Sequence, residues 1–361
     1  MMKELAIETS DKTYPVFVGR EALGHLPAFL KEQMADASKI WIIADEKVAS
    51  LYMDKLIHVL SPAYSDKMVI TIVPPGEYAK TFAVYESCHK EGLEHQINRK
   101  SVVLAFGGGA VGDLAGFVAA TYMRGIRFIG IPTTLLAHDS AVGGKTAINH
   151  PLGKNMVGAF HQPEAVFYDW SFIHSLPEKE LRSGFAEAVK HGLILDEEFY
   201  YEMMDNVSAM DDLKGGFLAY ILTTGISIKA SIVKQDEKEQ GVRAFLNFGH
   251  TLGHSIEANA GYGKVTHGEA VWIGMLFALH LSMEKTGLKF DLDHFIDWSK
   301  QLGYSLSVPE CRFEDLVESM KKDKKTTGEE ITFVLLEALG KPVLVTLPED
   351  EVLHSLQTFF R

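Results

Sequence analysis

The sequence predicts an α/β domain with an open parallel sheet, followed by a mostly α-helical domain. Two observations lead to this prediction. In the first half, short continuous apolar runs alternate with helical patterns, which is typical of buried parallel strands joined by helical crossovers. From about Pro177 onward, apolar residues instead recur with the period of helices. We therefore expect residues 1–176 to form the first domain and residues 177–361 the second.

In the first domain we expect a hairpin at one edge of the sheet, formed by residues 4–9 and 14–18. Helical patterns cover residues 82–97 and 113–122. Five continuous apolar segments predict the parallel strands, because such segments suit strands that are buried on both faces. These segments are residues 39–45, 68–73, 101–106, 127–131 and 165–168.

The second domain should consist mainly of long helices. Two short strands are also expected there, at residues 330–336 and 341–346, on either side of a turn at Gly340. The helical segments are residues 178–195, 216–234, 248–259, 268–286 and 290–302.

Composition excludes several classes of protein. The net charge of -13 argues against a nucleic-acid binder, because affinity for a polyanion depends on clustered Lys and Arg. Cys88 and Cys311 have no metal or redox spacing, so we expect two plain thiols. The N-terminus has no signal-peptide pattern, and the longest apolar run, residues 270–281, is too short to cross a bilayer. A cytoplasmic protein without a membrane partner is expected.

Histidines in the second domain have the spacing of metal ligands. His250 and His254 are four residues apart, so on a helix they project from one face toward a common point. A third histidine, His267, follows, and Glu187 is the nearest suitable carboxylate by context. A surface or core histidine pair is the competing interpretation. The many glycines around these residues indicate that something approaches the backbone closely.

A glycine-rich run follows the predicted strand 101–106 and precedes a helix. Glycines at Gly107, Gly108 and Gly109 allow a diphosphate to approach the backbone amides at the helix N-terminus, which favours a dinucleotide cofactor and a Rossmann-like domain. The motif is not GxGxxG, and a tight turn without a ligand stays possible. Asp45, at the end of the first core strand, suits ribose hydroxyls, although a strand-end Asp is also commonly a helix cap.

A second glycine-rich segment, residues 138–155, carries Asp139, Lys145, Lys154 and Asn155. Its Gly-Gly-Lys-Thr sequence is similar to the end of a Walker A loop, but Asp139 stands where that loop requires its first glycine. The phosphate-loop interpretation is therefore excluded. Lysines in glycine loops suit a phosphate or carboxylate ligand, and solvated loop lysines are the alternative.

Taken together, the motifs of this chain resemble the 3-dehydroquinate synthase family. The resemblance spans almost the whole chain and keeps the family's order. It implies the fold of that family and an NAD-dependent, zinc- or cobalt-dependent lyase of the shikimate pathway, acting on 3-deoxy-D-arabino-heptulosonate 7-phosphate. The motifs are Glu77-Tyr-Ala-Lys80, GGGxxGDxxGFxAAxxxRG from Gly107, Pro132-Thr-Thr134, VGGKTAINHPLGKN from Val142, AExxK from Ala186, NFGHTLGHSIE from Asn247, HGEAVxIGM from His267 and Asp323-Lys-Lys325.

The resemblance also implies roles for individual residues. It makes Glu187, His250 and His267 the metal ligands and moves His254 from ligand to substrate neighbour. Arg124 matches an arginine that reaches a neighbouring subunit's phosphate site, which implies a homodimer. The other positions implied to contact substrate are Asp139, Lys145, Asn155, Lys190, Lys229, Arg243, Asn247 and Lys324. The positions implied to bind the cofactor are Asp45, Glu77, Lys80, Gly108, Gly109, Asp113, Thr133, Thr134, Lys145 and Lys154.

One departure from the family pattern is visible, since residues 136–139 are one residue shorter than the commoner form of this motif. Three other functions compete with the synthase. A metal-dependent polyol dehydrogenase would have no use for cations such as Lys145, Lys154 and Arg243, because a neutral polyol carries no charge. A related sugar-phosphate cyclase would lack a substrate carboxylate to pair with Arg243. A binding protein without activity would not need every proposed ligand.

Overall fold

The computed structural model of the chain describes residues 2–239, 241–261, 264–308, 311–323 and 330–360. The chain divides into two compact units, Met1–Leu176 with Leu218–Lys234, and Pro177–Phe217 with Gln235–Arg361. The division between Leu176 and Pro177 lies where the sequence analysis places it. The segment Leu218–Lys234, which that analysis assigned to the second domain, belongs to the first unit.

Strands and helices are numbered here in chain order over the described residues. The strands are β1 (Lys3–Glu8), β2 (Thr13–Gly19), β3 (Ile40–Asp45), β4 (Met68–Val73), β5 (Val102–Gly107), β6 (Arg127–Pro132), β7 (Lys145–His150), β8 (Gly153–Phe160), β9 (Ala165–Asp169), β10 (Glu330–Ala338) and β11 (Lys341–Pro348). The helices are α1 (Leu26–Gln33), α2 (Glu46–Tyr64), α3 (Phe82–Glu94), α4 (Gly109–Thr121), α5 (Ala137–Ser140), α6 (Glu178–Leu195), α7 (Glu197–Asn206), α8 (Gly215–Gln235), α9 (His250–Ala260), α10 (His267–Lys285), α11 (Leu292–Gln301), α12 (Phe313–Asp323) and α13 (Glu349–Phe359).

The first unit is built on a seven-stranded sheet with the order β1-β2-β9-β6-β5-β3-β4. β1 and β2 pair antiparallel, and the other neighbouring strands pair parallel. The predicted open parallel sheet with an edge hairpin is confirmed. Because the carboxyl ends of parallel strands meet at one edge, Asp45, Gly107 and Pro132 end three neighbouring strands on the same side of the sheet.

Alternate residues of the central strands pack on opposite faces of this sheet. In β3, Ile40, Ile42 and Ala44 join the apolar cluster under α1 and α2, whereas Trp41 and Ile43 join the cluster under α3 and α4. All residues of β3 and of β5 are buried. A strand with helices on both faces needs apolar side chains at every position, which explains the continuous apolar runs in the sequence.

The second unit is mostly helical, and α10 lies at its centre with α6 and α9 packed against it. Glycines make this packing possible. A Cβ atom at Gly274 would lie 1.9 Å from the carbonyl oxygen of Gly249, and one at Gly268 would lie 2.0 Å from that of Ser183. The glycines predict that something approaches the backbone closely. In the structure, the approaching groups are the neighbouring helices. The predicted strands β10 and β11 pair antiparallel.

β7 and β8 form a separate antiparallel hairpin, which the sequence analysis treated as a glycine-rich loop. The glycines of this segment allow close packing of strands. A Cβ atom at Gly158 would lie 2.2 Å from the carbonyl oxygen of Thr146 on the opposite strand. Glycine therefore marks a tight strand contact here, and the lysines Lys145 and Lys154 stand on strands instead of on a loop.

α8 is long and apolar enough to cross a membrane by length and composition alone, a feature that the sequence analysis missed. However, 56% of its most apolar stretch is buried inside the structure. Its Lys229 is 6% exposed and forms an ion pair with Asp139 of the same unit. These are the properties of a core helix in a globular unit.

Candidate active site

Three side chains from three helices of the second unit converge on one point. Glu187 lies in the middle of α6, and His250 and His267 are the first residues of α9 and α10. Oε1 of Glu187 lies 3.5 Å from Nε2 of His250 and 3.5 Å from Nε2 of His267. Glu187 is 1% exposed, so its carboxylate is shielded from water.

The packing of α10 against α6 places His267 beside Glu187. The amide of Gly268 donates to Oγ of Ser183 at 3.0 Å, and Ser183 stands one helical turn before Glu187. Thr266 caps α10, with a reciprocal hydrogen bond to Glu269, and so fixes the point at which the helix begins. The position of His267 is thus set by its immediate neighbours in the chain.

Hydrogen bonds at the other ring nitrogens orient both imidazoles. Nδ1 of His250 lies 3.1 Å from the carbonyl oxygen of Phe248, and Nδ1 of His267 lies 2.9 Å from Oε2 of Glu257. Both partners are acceptors, so Nδ1 donates in each case and a neutral ring keeps its lone pair on Nε2. These are the Nε2 atoms that face Glu187.

Charges within the cluster shift the two imidazoles in opposite directions. Burial and the neighbouring Lys190 ammonium hold the pKa of His250 well below its usual value. Burial alone would also lower the pKa of His267, but the carboxylates of Glu257 and Glu187 outweigh it and raise that pKa to about 10. Lys190 itself donates to Oε2 of Glu187.

His254 lies beside this cluster, one turn after His250 on α9. Its ring centroid is 5.2 Å from that of His250 and 5.8 Å from that of His267. The three histidines each offer a nitrogen within 4.8 Å of the others. The structure thus brings together all the residues that the sequence analysis considered as ligands.

The donor set fits a divalent metal. Two imidazole nitrogens and one carboxylate oxygen converge, each ring nitrogen is oriented by a second hydrogen bond, and the surroundings are buried. Three protein ligands of this kind with one position left open are typical of catalytic zinc sites.

In the first unit, the glycine loop joins β5 to α4 as expected. β5 ends at Gly107, α4 begins at Gly109, and no described side chain caps the N-terminal amides of this helix. A Cβ atom at Gly108 would lie 2.8 Å from Cγ2 of Thr134, and one at Gly109 would lie 2.8 Å from Oγ of Ser140. A cavity here is lined by residues including Gly107, Gly108, Gly109, Asp113, Ser140 and Lys145.

Three buried hydroxyl groups lie around this glycine loop. Oγ1 of Thr133, Oγ1 of Thr134 and Oγ of Ser140 have no hydrogen-bond partner among the described residues. The backbone amide of Thr133 donates to the carbonyl oxygen of Gly107 at 3.0 Å, which holds the end of β6 against the loop. Buried hydroxyls without a partner in the protein suit a polar ligand. The loop, its uncapped helix and these hydroxyls therefore fit the phosphates and hydroxyls of a dinucleotide.

Asp45 acts as a helix cap in this structure. Its Oδ1 accepts from the amides of Lys47 at 2.8 Å and Val48 at 3.1 Å, at the start of α2. Its Oδ2 accepts from the amide of Gly76 at 3.1 Å. The capping role considered from the sequence is confirmed, and a contact to ribose is left as a proposal.

Other residues predicted to bind the cofactor pair with one another. The Lys80 ammonium, 2% exposed, lies 2.6 Å from Oδ2 of Asp113 and donates to Asn155. Glu77 lies 3.8 Å from the Lys154 ammonium. Burial raises the pKa of Asp113, and the nearby Lys80 charge only partly opposes this. The structure therefore brings predicted cofactor residues and the predicted substrate residue Asn155 together.

Two residues predicted to contact substrate form an ion pair in the first unit. Nζ of Lys229, on α8, lies 3.0 Å from Oδ2 of Asp139 and also donates to the carbonyl oxygen of Asp139. The shortened segment, residues 136–139, begins at the N-cap Leu136 and continues into the short helix α5, which contains Asp139. The pair offers a carboxylate and an ammonium side by side.

Arg243 and Asn247 stand in the second unit, in the turn that precedes α9. Arg243 is 1% exposed and donates from Nη1 to the carbonyl oxygen of Glu237. Asn247 donates to Oε1 of Glu239 at 3.0 Å. A buried guanidinium next to this turn is a strong binding group for an anion.

Two predicted residues are not placed with the others. Arg124 follows the C-terminal end of α4, whereas the glycine loop is at its N-terminal end, about 20 Å away for a helix of 13 residues. Arg124 instead lines a surface cavity with Arg99 and Lys100. Lys324 lies outside the described residues.

Three further residues that contact the site were not predicted from the sequence. Ser140 lies against Gly109, Glu239 accepts from Asn247, and Glu257 accepts from His267. Glu257 could have been found from its spacing, because it stands seven residues after His250 and so on the same face of α9.

Comparison with known proteins agrees with this arrangement. Residues 70–183 match the family model for the 3-dehydroquinate synthase N-terminal domain, and residues 184–326 match that for the C-terminal domain. The 3-dehydroquinate synthase of Geobacillus thermodenitrificans is 52% identical to this chain over 360 residues, covering 99% of the chain and 98% of the relative. The chain belongs to the 3-dehydroquinate synthase family. The resemblance inferred from its motifs is confirmed.

Solved structures share the fold of this 3-dehydroquinate synthase family member. A 2-deoxy-scyllo-inosose synthase complexed with carbaglucose-6-phosphate, NAD+ and Co2+ superposes with a TM-score of 0.89 at 23% identity, over 99% of both chains. A 2-epi-5-epi-valiolone synthase from Streptomyces hygroscopicus with NAD+ and Zn2+ bound has a TM-score of 0.86 at 24% identity, covering 97% of this chain and 98% of its own. The predicted fold class is confirmed.

Proposed function

We propose that the chain is a phosphorus-oxygen lyase that converts 3-deoxy-D-arabino-heptulosonate 7-phosphate to 3-dehydroquinate and phosphate. The reaction comprises transient oxidation with NAD, phosphate elimination, reduction and intramolecular aldol closure, and it leads to chorismate and the aromatic amino acids. The convergence of Glu187, His250 and His267 is the observation that supports this function most strongly. It occurs in a chain 52% identical to a 3-dehydroquinate synthase.

Glu187, His250 and His267 are the proposed metal ligands. When bound, a divalent ion such as zinc or cobalt lowers the pKa of substrate hydroxyls that it coordinates. Lys190 neutralises part of the Glu187 charge through its bond to Oε2 and leaves Oε1 facing the two rings. His254 stands next to the ligands and is proposed to contact substrate.

The first unit is proposed to bind NAD. NAD supplies a reversible hydride acceptor, so no net oxidation results. The amides at the start of α4 and the hydroxyls of Thr133 and Thr134 would hold its polar groups. The other proposed contacts are Asp45, Glu77, Lys80, Gly108, Gly109, Asp113, Lys145 and Lys154.

The anionic groups of the substrate require cations that an overall acidic chain must supply locally. In the first unit, the Asp139–Lys229 pair offers an acceptor and a donor for substrate hydroxyls. In the second unit, Arg243 is the proposed partner of a carboxylate or phosphate. The remaining proposed contacts are Lys145, Asn155, Lys190, Asn247 and Lys324.

We further propose a homodimer in the cytoplasm. Arg124 lies about one helix length from the glycine loop of its own chain, which supports a role in the site of a second copy. Its backbone φ of 68°, next to 50° at Met123, is unusual for residues other than glycine.

The function is tested by following phosphate release and NADH absorbance together, with the heptulosonate phosphate, NAD and zinc present. Release of phosphate without net NADH is expected. Accumulating NADH would instead indicate a polyol dehydrogenase, and activity on glucose 6-phosphate or sedoheptulose 7-phosphate would indicate another sugar-phosphate cyclase. A chelator should abolish the activity, and zinc or cobalt should restore it.

A further inference from the structure

Glu257 lies on the same face of α9 as His250 and His254, two histidines of the candidate metal site. His250, His254 and Glu257 are separated by four and then three residues on this helix. At 3.6 residues per turn, such positions lie above one another on one face. The third member of this row is a carboxylate whose side chain is only 10% exposed.

The carboxylate of Glu257 contacts the imidazole of His267, at the start of the next helix. Its Oε2 lies 2.9 Å from Nδ1, while Oε1 of Glu187 lies 3.5 Å from Nε2 of the same ring. One ring is thus held from both sides by carboxylates that belong to two different helices. Nε2 is the atom that points toward the proposed metal ligands.

The two proposed histidine ligands differ in what holds their Nδ1 atoms. His250 donates to the backbone carbonyl of Phe248 at 3.1 Å, which is a neutral acceptor fixed by the chain. His267 donates to a charged side chain. A carboxylate acceptor fixes the ring orientation and tautomer and also makes the opposite nitrogen a better metal ligand. The environment of His267 therefore depends on one replaceable residue.

We propose that Glu257 is a positioning residue of the metal site, one that does not itself bind the metal. It keeps the proton of His267 on Nδ1, fixes the plane of the ring, and increases the affinity of the site for a divalent ion. This inference rests on the proposed function, because it requires Glu187, His250 and His267 to bind a metal.

The test is a titration of the metal-free full-length protein with Co2+, monitored by the visible spectrum of the bound ion. Glu257→Leu removes the acceptor and the charge, and we expect affinity to fall by about 10–100-fold. Glu257→Gln keeps an oxygen that accepts from Nδ1 but loses the charge, so its affinity should lie between those of Glu257→Leu and the unmodified protein. The band positions of bound Co2+ should stay unchanged in both variants.

Glu284 provides a matched control on the same helix as His267. Its Oε1 lies 3.4 Å from Nε2 of His280, so Glu284 also forms a histidine–carboxylate pair on α10. His280 is not one of the proposed metal ligands. Glu284→Leu and Glu284→Gln should leave Co2+ affinity unchanged. The thermal midpoint of each metal-free variant shows whether the fold is intact, and Glu257→Gln carries the test if Glu257→Leu does not fold.

Two results would overturn the inference while leaving the proposed metal site in place. One is Co2+ affinity in both Glu257 variants within about twofold of the unmodified protein, and the other is a changed Co2+ spectrum, which would make Glu257 a ligand. If the unmodified protein binds no Co2+ stoichiometrically, the proposed function itself fails. The order Glu257→Leu, Glu257→Gln, unmodified protein in increasing affinity, with unchanged spectra, supports the positioning role.

Discussion

The proposed metal site of the second unit, formed by Glu187, His250 and His267, and the glycine-loop pocket of the first unit are built from different parts of the chain. In the cluster, side-chain atoms converge, since Oε1 of Glu187 faces Nε2 of two histidines at 3.5 Å. In the pocket, the charged side chains already pair with one another, as Lys80 does with Asp113. In that pocket, the glycine backbone and buried hydroxyls such as that of Thr133 are the open groups.

This difference determines how each site can be damaged. A site made of side-chain donors fails when a donor is removed, because the remaining ligands cannot replace it. A site made of backbone and empty space fails when atoms are added, because a protein interior has no room for them. Substitutions that delete a side-chain donor in the second unit, and substitutions that add atoms in the first, should therefore separate metal binding from NAD binding.

The largest effect is expected from Glu187→Gln, which deletes the charge of a proposed metal ligand. Its amide oxygen can still accept from Lys190, so the buried ammonium keeps a partner. Metal affinity should fall by more than the roughly 10–100-fold that follows loss of a residue supporting a ligand, and activity should fall with it. Metal content after desalting measures this. NAD affinity should stay unchanged, and its loss would contradict the separation of the two sites.

An added methyl group in the glycine loop should give the next largest effect. In Gly108→Ala, the new Cβ would lie 2.8 Å from Cγ2 of Thr134, one of the residues proposed to bind NAD. If overpacking of about 1–3 kcal/mol opposes NAD binding, the affinity for NAD should fall by roughly 5–150-fold, measured by titration. Gly216→Ala is the control, because nothing lies within 4 Å of its Cβ. Loss of metal in Gly108→Ala would show that the two sites are not independent.

Asp45 can show whether a capping residue also binds NAD. Asp45→Asn keeps an oxygen that caps the start of α2 but replaces the oxygen that accepts from the Gly76 amide, so the free energy of unfolding should fall by about 1 kcal/mol. If the carboxylate binds ribose hydroxyls, replacing a charged acceptor by a neutral one should cost about 1 kcal/mol, or about fivefold in NAD affinity. Calorimetry of unfolding and of NAD binding measures both. Unchanged NAD affinity would leave Asp45 with its capping role alone.

The sequence predicted what depends on local pattern. The strands Ile40–Asp45 and Met68–Val73 lie within a residue of the expected bounds. In Ile40–Asp45 every residue is buried, and a continuous apolar run is required where both faces are covered. The histidine spacing predicted for a similar reason that His250 and His254 lie side by side, since positions four apart share a helix face. Contacts made within one helix or one strand can be read from periodicity.

What depends on packing between elements was not predicted. The glycines around His250 and His267 were expected to serve an approaching group, but they serve helix contacts, as at Gly274. The hairpin of β7 and β8 was missed because glycine in a strand resembles glycine in a loop. Ser140 was missed because its partner, Gly109, comes from another element. The spacing places Glu257 on the histidine face of α9, but it does not show the contact of Glu257 with His267 on the next helix. The spacing of residues along the chain does not show contacts between different helices and strands.

The smallest effect on either site is expected at Asp169, a buried carboxylate of the first unit that belongs to neither. Burial alone would raise the pKa of Asp169, but hydrogen bonds from Ser171 and Lys55 outweigh it and lower that pKa. The ionised form is therefore favoured by folding. The ionised carboxylate contributes its full stabilisation at pH values above its pKa in the unfolded chain, about 3.9. This contribution disappears as the pH falls through its lower pKa in the folded protein.

Asp169→Asn should therefore be less stable than the unmodified protein near pH 6, and the difference should shrink as the pH is lowered toward 3. Unfolding in denaturant at several pH values measures this difference. NAD affinity and metal content at pH 7 should both be retained, because the substitution deletes no metal ligand and adds no atoms to the glycine loop. If the stability difference does not vary with pH, Asp169 stabilises the fold through packing and not through its charge.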